Sequence, residues 1–545
     1  MLYFLLRHRR LRLLLGLLIG AGVVGAVAVV VAPSSSRRIL APLPAAERLS
    51  HQSAPPLPAA ERSRRPNIVF VLTDDLSMNL LRYMPNVQAM QQGGLTFNDY
   101  FVSDSLCCPS RSSIFSGNFP HDTGVFNNVG TNGGFHVFHN RGEEQHTFAV
   151  ALQQAGYRTA MMGKYLNGYM QRRGGVPGLP DTYVPPGWSE WDVAGWGYPE
   201  FDYQLNENGT LHAYGHQPSD YLTDVLAGKG VDFINRSAQT GNPFFLELAT
   251  FAPHGPYVPA PRDANDFPGL TAPRPPSFDV LPSHPPGWLA YHPPLTPAQI
   301  DTIDSAFRLR VQSVQAVDAM IGQIEQTLAE NGIADNTYLV FSSDNGLHTG
   351  EYRLAPGKLT AFDTDIHVPL VVVGPGVPAG TSTDAMTENV DLAKTFAGIG
   401  GTALPSDGHT LLPLLRGETP ADWRNASLVE HNGSDLRGVD PDFQQPTSGN
   451  PRTYNAIRTK QFLYVQYNDN EREFYDLRRD PFELHNLGAS LTPSDLALLG
   501  AEVRALRACH DGPACWAAMH LEGGPALPLR ARRRGPARPQ SRHRR

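Results

Sequence analysis

Cysteine is scarce in this sequence: 545 residues contain only four, too few for a fold held together by disulfides. A strong charge of one sign is also missing, because 45 lysines and arginines stand against 52 aspartates and glutamates, a formal net charge of −7. This mild balance neither indicates nor excludes a polyanionic partner, and we expect no nucleic-acid partner. Hydrophobic residues make up 41% of the chain, which predicts a globular protein with a large core and two to four domains.

The N-terminus combines a basic flank, residues 7–12, with an uncharged apolar run over residues 13–32. This run just reaches the ~20 residues that a membrane-spanning helix needs. Residues 1–32 therefore predict either a cleaved signal peptide or an uncleaved signal anchor, and both remain open. We favour the anchor because residues 29–32 offer no small-x-small cleavage site. We expect the basic flank to stay cytoplasmic, which leaves the protein extracellular or anchored to the outer face of the membrane.

Two segments have compositions that are typical of extended, disordered chain. Residues 33–65 are rich in proline and alanine, repeat the heptapeptide PLPAAER, and are predicted to be a linker. Residues 521–545 are predicted to be a basic disordered tail. Between them we predict a catalytic domain over residues 66–425 and a C-terminal subdomain over residues 426–520.

Carboxylates follow two strongly apolar segments that are far apart in sequence. Residues 66–73 are rich in β-branched side chains and lead into Asp74 and Asp75, and residues 336–343 lead into Asp344 and Asn345. Both segments predict buried strands of a parallel sheet, and ligands usually bind at the carboxyl ends of such strands. Four oxygen donors without a histidine or a thiolate among them suit a hard divalent cation such as Ca²⁺ or Mg²⁺.

Two of the four cysteines, Cys107 and Cys108, are adjacent and are followed by Pro109 and Arg111. Proline suits the opening of a helix, so a nucleophile just before Pro109 would face the positive end of the helix dipole. Arg111 would add charge for an anionic substrate. The alternative reading is a buried thiol or a disulfide partner.

Three further charged or titratable residues are predicted near strand ends: Lys164 after Gly163, His254 in a Pro-His pair, and Lys358 in a second Gly-Lys pair. Taken alone, a lysine is more often a solvated surface charge and a histidine a structural one. Residues 301–330 have helical apolar spacing and predict a helix that packs on the sheet.

After about residue 425 the sequence indicates short antiparallel strands at residues 454–458, 462–467 and 473–477, followed by a helix over about 493–508. Cys509 and Cys515 lie close together beyond this helix. In an exported protein they are predicted to form a local disulfide, whereas in a cytosolic protein they would remain thiols.

The spacing Cys-x-Pro-Ser-Arg from Cys107 to Arg111, with the two acidic strand ends, resembles the type I sulfatases of the alkaline phosphatase superfamily. The resemblance covers residues 66 to about 490. It implies an α/β fold with a large mixed, mostly parallel sheet flanked by helices, and a smaller C-terminal antiparallel sheet. It also implies that a formylglycine-generating enzyme converts Cys107, which alone has one residue before Pro109, into formylglycine (3-oxoalanine).

The resemblance further implies a role for each candidate residue. The metal ligands it implies are Asp74, Asp75, Asp344, Asn345 and the modified Cys107. The hydrated formylglycine attacks sulfur and forms a covalent sulfo-enzyme, from which its second hydroxyl expels sulfate.

The implied catalytic partners carry positive charge. His254, with Lys358 nearby, protonates the departing sugar oxygen, Lys164 holds the sulfate group, and Arg111 stabilises the hydrate.

Within the family, segments around Cys107, Lys164, residues 221–226 and residues 343–350 resemble the N-acetylglucosamine-6-sulfatase group. This implies removal of 6-O-sulfate from N-acetylglucosamine units of glycosaminoglycans. The alternatives are an arylsulfatase, a phosphonate or phosphate ester hydrolase of the same superfamily, or a non-catalytic glycan-binding surface protein if Cys107 is unmodified.

Two positions depart from the family pattern. Leu166 stands where many sulfatases have a histidine that helps to deprotonate the formylglycine hydrate, and Asn167 is the nearest polar side chain. His367 stands where many members have a different cation, and we assign it no role.

Overall fold

The computed structural model describes residues 65–521, apart from 171–174, 434–435, 437–439 and 441–442. The predictions for residues 1–32, for the linker up to residue 64 and for the tail from residue 522 therefore lie outside the described residues. No helix in the described ranges is both long enough and apolar enough to cross a membrane. The domain bounds given above stay predictions.

The described part of the chain contains sixteen strands, and their bounds are as follows: β1 Asn67–Thr73, β2 Leu95–Phe97, β3 Tyr100–Phe101, β4 Arg158–Lys164, β5 Glu190–Ala194, β6 Gln204–Glu207, β7 Thr210–Ala213, β8 Phe244–Ala249, β9 Thr337–Ser343, β10 Leu370–Val373, β11 Thr381–Thr383, β12 Thr387–Glu388, β13 Ala426–His431, β14 Tyr454–Thr459, β15 Phe462–Tyr467 and β16 Arg472–Asp476. They form sheets of ten, two and four strands.

The α-helices of the same ranges have the following bounds: α1 Pro85–Gly93, α2 Cys107–Ser116, α3 Pro120–Thr123, α4 Gly134–Asn140, α5 Phe148–Gln154, α6 Leu222–Ala238, α7 Pro297–Glu330, α8 Asp363–Ile366, α9 Asp391–Ile399, α10 Leu412–Leu415, α11 Pro493–Arg507 and α12 Gly512–Ala518.

The large sheet has the strand order β11-β2-β10-β9-β1-β8-β4-β5-β6-β7. Its centre is parallel, because β1 pairs in parallel with β8 and β9, and β4 pairs in parallel with β8 and β5. The pairs β9–β10, β10–β2, β5–β6 and β6–β7 are antiparallel. The predicted fold class, a large mixed and mostly parallel sheet, is confirmed.

Strand β1 shows why the sheet lies in the middle of the domain. All seven of its residues are buried, as expected for a parallel strand covered on both faces. Successive side chains point to opposite faces, so Phe70 joins one apolar cluster with helices α2, α5 and α9, while Val69 joins a second with α6 and α7. The alternation therefore builds two apolar layers around one sheet.

Helix α7 begins at Pro297, four residues before the predicted start at residue 301. The difference comes from its cap: the Thr296 side chain accepts from the Gln299 backbone, and the Gln299 side chain accepts from the Thr296 backbone. Pro297 then occupies the first turn, where its missing N–H costs nothing. The apolar spacing indicated only the part of the helix that packs on the sheet.

The smaller sheet is antiparallel, with the order β13-β14-β15-β16, and this confirms the predicted second sheet. Its edge strand β13, Ala426–His431, was not among the predicted strands. A separate apolar cluster packs this sheet against α11 and α12. Cys509 lies between these two helices and Cys515 lies within α12, and a disulfide joins them.

Candidate active site

Asp74 and Asp75 follow strand β1 directly, and both side chains are buried. Asp75 has a φ of +63°, a left-handed conformation that aspartate tolerates better than most residues. The Asp75 backbone N–H donates to Asp344 Oδ1 at 3.1 Å. This turn places two consecutive buried carboxylates at the end of β1.

Asp344 and Asn345 follow strand β9, the parallel neighbour of β1, so they lie beside the two aspartates as the sequence predicted. Asn345 Nδ2 donates to Asp75 Oδ1 at 2.6 Å and to the Gly346 carbonyl at 2.8 Å. Because a carbonyl can only accept, this contact fixes the orientation of the amide. Asn345 Oδ1 is buried and has no hydrogen-bond partner among the described residues.

Cys107 is the first residue of α2, so Pro109 lies in the opening turn of a helix, as predicted. Proline is still tolerated there because the first turn of a helix has unpaired N–H groups. Cys107 Sγ lies 3.2 Å from Asp74 Oδ1, 4.0 Å from Asp75 Oδ1 and 2.8 Å from Lys358 Nζ. Burial, together with the Asp74 charge, raises the pKa of the thiol well above its ordinary value.

Cys108, although adjacent, lies in a different environment. Its side chain is part of the apolar cluster on one face of the sheet, and its backbone N–H donates to Asn128 Oδ1 at 3.1 Å. Burial raises the pKa of its thiol to about 12. The structure therefore separates the Cys107 thiol, which lies among charged groups, from the Cys108 thiol, which lies in the core.

Two lysines contact the acidic pair from opposite sides. Lys164, the last residue of β4, forms an ion pair with Asp74, and Lys358 Nζ lies 2.7 Å from Asp75 Oδ1. Burial alone would lower the pKa of Lys164, but the Asp74 carboxylate raises it well above its ordinary value. Lys164 is therefore a cation in the site.

Arg111 lies one turn along α2 and is fully buried. Its Nε lies 2.8 Å from Asp344 Oδ2, and one terminal nitrogen donates to the Lys164 carbonyl at 2.9 Å. Its other terminal nitrogen has no hydrogen-bond partner among the described residues. Arg111 thus links the strand end that bears Asp344 to the one that bears Lys164.

His254 lies five residues beyond β8, between the ends of β1 and β4. Its Nδ1 is 2.7 Å from the Gly255 carbonyl, so Nδ1 carries a proton and donates it to that oxygen. Its Nε2 is 3.5 Å from Asp75 Oδ2 and faces the carboxylate cluster. This orientation makes Nε2 the nitrogen that can exchange a proton with a substrate.

The charged groups of this cluster shift the pKa values of its carboxyl groups. Burial would raise the pKa of Asp74, but Lys164, His254, Arg111 and Lys358 hold it below its usual range. Burial and the Asp74 charge raise the pKa of Asp344 to about 6. Adding a divalent cation at this position would offset the repulsion among the carboxylates.

The donor set fits a hard divalent cation. Asp74, Asp75, Cys107 and His254 each offer an atom to one group with metal-ligand spacing, and Asp344 and Asn345 adjoin it. The unpartnered Asn345 Oδ1 is the oxygen that such an ion would bind. Apart from one sulfur and one nitrogen, the donors are oxygens, which favours Ca²⁺ or Mg²⁺ over softer metals.

Two residues that surround the site, Tyr198 and Arg310, belong to no sequence motif that could have identified them. The Tyr198 ring lies 4.5 Å from the His254 ring and 5.0 Å from Lys164 Nζ, and its hydroxyl accepts from Asn167 Nδ2 at 3.2 Å. Arg310, in the middle of α7, donates to the Asp75 carbonyl and to Ser77 Oγ. Both reach the site through tertiary packing, so no local motif identifies them.

The two residues that depart from the family pattern, Leu166 and His367, lie in different environments. Leu166 is buried near Lys164 and carries no exchangeable proton. His367 contacts the Asn98 carbonyl through Nε2 at 2.7 Å and packs against Phe101. These contacts are with neither the acidic pair nor Cys107.

Comparisons with known proteins agree with this geometry. The profile of the family described as "Sulfatase" matches residues 66–402, and that described as "N-sulphoglucosamine sulphohydrolase, C-terminal" matches residues 350–498. The chain is 34% identical over 486 residues to proteins named N-acetylglucosamine-6-sulfatase from Capra hircus and Homo sapiens. Those alignments cover 83% of this chain and 85% and 86% of the two relatives.

A similar solved structure is described as a complex with its substrate D-glucosamine-2-N,6-O-disulfate. Its TM-score is 0.63 at 25% identity, covering 81% of this chain and 97% of the other. The family profile spans more than half of the chain, and it includes the acidic strand ends, the cysteine helix and both lysines. This chain therefore belongs to the sulfatase family and is a sulfuric ester hydrolase.

Proposed function

We propose that this protein removes 6-O-sulfate from N-acetylglucosamine units of glycosaminoglycans, using a formylglycine formed from Cys107 and a bound Ca²⁺. The observation that carries the chemistry is the position of Cys107, whose Sγ lies 3.2 Å from Asp74 and 2.8 Å from Lys358. The substrate class is supported by the relatives named N-acetylglucosamine-6-sulfatase and by the glucosamine disulfate bound to the similar structure.

Position 107 is the proposed source of the nucleophile. A formylglycine at this position would supply, as its hydrate, one hydroxyl as the nucleophile that displaces the sugar oxygen from sulfur, and a second whose return to the aldehyde would release sulfate. Lys358 Nζ, at 2.8 Å from the position 107 side chain, places a positive charge where the anionic ester must approach. Oxidation of the thiol also replaces the one soft donor of the cluster by oxygen, in keeping with a hard cation.

Asp74, Asp75, Asp344 and Asn345 would hold the cation. When bound, Ca²⁺, or less favourably Mg²⁺, acts as a Lewis acid toward the sulfate oxygens. Arg111 positions Asp344 through its 2.8 Å contact, and Arg310 positions Asp75 through the backbone carbonyl. These two buried arginines hold the ligands in place.

Lys164 and His254 have different roles toward the substrate. Lys164, close to Asp74, binds a sulfate oxygen, and charge that develops in the transition state is stabilised by both lysines. His254 gives the Nε2 proton to the departing sugar oxygen, since its Nδ1 proton is held by the Gly255 carbonyl. Leu166 cannot serve as a base, so the proton of the hydrate must pass to another group than the one usual in the family.

The setting of this reaction is also a proposal. We infer that the protein is exported, that residues 1–32 direct export and form an anchor, and that a formylglycine-generating enzyme acts on Cys107 during maturation. The basic flank and the apolar run support export. The disulfide between Cys509 and Cys515 is in keeping with an oxidising compartment.

The test is desulfation of N-acetylglucosamine-6-sulfate, with sulfated uronic acid and sulfated galactosamine as control substrates. We expect kcat/KM to be highest for the glucosamine ester and to fall about a thousandfold or more in Cys107→Ala, because the nucleophile is lost. Cys108→Ala is the matched control and should keep most of the activity. Higher efficiency on aryl phosphates than on sulfates, or full activity of Cys107→Ala, would contradict the proposal.

A further inference from the structure

An exposed tryptophan lies at the same edge of the large sheet as the active site. Strands β4 and β5 pair in parallel, with Lys164 opposite Ala194 at their carboxyl ends. Trp196 follows two residues after Ala194 and is 47% exposed. The series of strand ends that bear the catalytic residues is thus continued, one strand further along the sheet, by a large aromatic side chain.

The backbone on both sides of Trp196 is closely packed. A Cβ added to Gly195 would lie 2.5 Å from the Met170 Cβ, and one added to Gly197 would lie 2.5 Å from the Phe251 ring. Real Cβ atoms do not approach other atoms so closely, so a larger residue at either position would displace the loop. The two glycines therefore hold the backbone against the core and leave the indole between them at the surface.

Tyr198 connects this indole to the catalytic residues. The Trp196 ring lies 4.8 Å from the Tyr198 ring in an edge-to-face arrangement. The Tyr198 ring in turn lies 4.5 Å from the His254 ring and 5.0 Å from Lys164 Nζ. Because Tyr198 is only 7% exposed, Trp196 rather than Tyr198 offers an aromatic surface to a molecule bound beside these residues.

A single exposed apolar side chain on a protein surface needs no function, but the position of this one matches the chemistry of the substrate. A pyranose ring has C–H groups on its faces and hydroxyls around its rim. Such a ring can place one face on an indole while its hydroxyls remain with water or polar groups. With sulfate bound at Lys164 and the leaving oxygen next to His254, the sugar lies on the side of the site where Trp196 stands.

We propose that Trp196 stacks against the sugar ring of the substrate and thereby favours carbohydrate sulfates over sulfate esters that have no ring. This inference rests on the proposed function, which gives Lys164 the sulfate group and His254 the departing sugar oxygen. Trp196 touches the sugar but not the reacting bond. The contact is therefore equally strong in the bound substrate and in the transition state, and it lowers KM without raising kcat.

The test is the steady-state kinetics of N-acetylglucosamine-6-sulfate hydrolysis by the full-length enzyme and its variants. Trp196→Ala should raise KM about tenfold and leave kcat nearly unchanged, because it removes uniform binding. Trp196→Phe keeps an aromatic face and should restore most of the affinity. Leu498→Ala is the matched control: Leu498 is an apolar residue of α11 that is 41% exposed, and both constants should stay at their wild-type values.

Inhibition by inorganic sulfate separates binding of the sugar from binding of the sulfate group. Its inhibition constant should be the same in the wild type and in Trp196→Ala, because sulfate has no ring to stack. An unchanged KM in Trp196→Ala, or equal increases in KM and in this constant, would overturn the proposal. If the wild type prefers a different sugar sulfate, the proposed substrate is wrong, and the same comparison on the preferred ester decides the role of Trp196.

Discussion

The positions of the active-site residues depend more on the balance of buried charges than on the shapes of the side chains. Three buried carboxylates, Asp74, Asp75 and Asp344, meet four groups that can carry positive charge: Lys164, Lys358, Arg111 and His254. Leaving one buried charge without its partners costs several kcal/mol, so each substitution acts on the whole cluster. An experiment on a single active-site residue therefore needs a measurement that isolates the role of that residue.

The acid role of His254 depends on the leaving group. His254→Asn should slow hydrolysis of the sugar sulfate by about 10²–10⁴-fold, because the departing alkoxide needs a proton. It should slow hydrolysis of nitrophenyl sulfate far less, since that leaving group departs as a stable anion. Steady-state kinetics on both substrates measures the difference. His367→Asn, which changes a histidine outside the acidic cluster, is the control, and an equal loss on both substrates would refute the role.

Cation binding depends on the unpartnered oxygen of Asn345. Removal of divalent ions with a chelator should abolish activity and lower the melting temperature, and Ca²⁺ should restore both. Asn345→Leu should weaken Ca²⁺ binding by about ten- to a hundredfold, measured by calorimetry.

Asn167→Leu is the matched control for that experiment, because Asn167 is also a buried amide whose Oδ1 has no hydrogen-bond partner in the described ranges. It lies beside Tyr198 rather than among the carboxylates. If both variants bind Ca²⁺ with the same affinity, Asn345 is not a ligand.

Four neighbouring parallel strands act as one element in building the site. The ends of β9, β1, β8 and β4 deliver Asp344, the Asp74–Asp75 pair, His254 and Lys164 in the order of the sheet. Strand β4 approaches β8 closely at Gly163, which pairs with Ala249 and has a φ of +103°. A Cβ there would lie 1.9 Å from the Ala249 carbonyl oxygen, so only glycine allows Lys164 its position.

Gly163→Ala should therefore lower both stability and activity. We expect a loss of about 1–3 kcal/mol from the steric clash, in addition to the cost of about 1–2 kcal/mol for a left-handed alanine. Gly156→Ala isolates the second cost, because Gly156 has a φ of +90° with no atom within 4 Å of the added Cβ. Urea unfolding of both variants measures the two contributions, and equal destabilisation would contradict the close approach.

The sequence predicted this element well because each part of it has a local signal. Apolar runs that end in Asp74 and Asp344 indicate buried strands and an acidic edge, and the parallel sheet brings these ends together. Pro109 correctly indicated the opening of α2 but not its first residue, because proline is tolerated anywhere in the first turn. Tyr198 and Arg310 could not be predicted, since their places depend on how distant segments pack.

Over the whole molecule, burial leaves several acidic groups with raised pKa values. Glu247, in the middle of β8, is fully buried, and neither carboxylate oxygen has a hydrogen-bond partner in the described part of the chain. Burial raises its pKa from the ordinary value of 4.5 to about 8, although the Arg111 charge opposes this. Glu247 is thus protonated in the folded state at neutral pH and ionised in the unfolded chain.

This shift has a definite sign in the pH dependence of stability. A carboxyl whose folded pKa is raised contributes stability that is complete below pH 4.5 and is lost as the pH rises through about 8. The slope between these limits is about 1.4 kcal/mol per pH unit for one proton. The free energy of unfolding of Glu247→Gln should therefore increase relative to that of the wild type as the pH rises from 5 to 8.

Urea denaturation at several pH values tests this expectation. Glu330→Gln changes an exposed glutamate at the end of α7 and serves as the control, with a constant difference from the wild type. A Glu247→Gln curve that stays parallel to the wild-type curve would show that Glu247 does not titrate between the two states.

The proposed mechanism requires a formylglycine at position 107, and mass spectrometry of the peptide that contains this residue tests the requirement directly. In protein isolated from its native host, we expect residue 107 to carry an aldehyde that reacts with a carbonyl reagent, and Cys108 to remain a thiol that alkylates after unfolding. Activity of different preparations should rise in proportion to the aldehyde fraction. A fully active preparation in which Cys107 is an unmodified thiol would contradict the proposed mechanism.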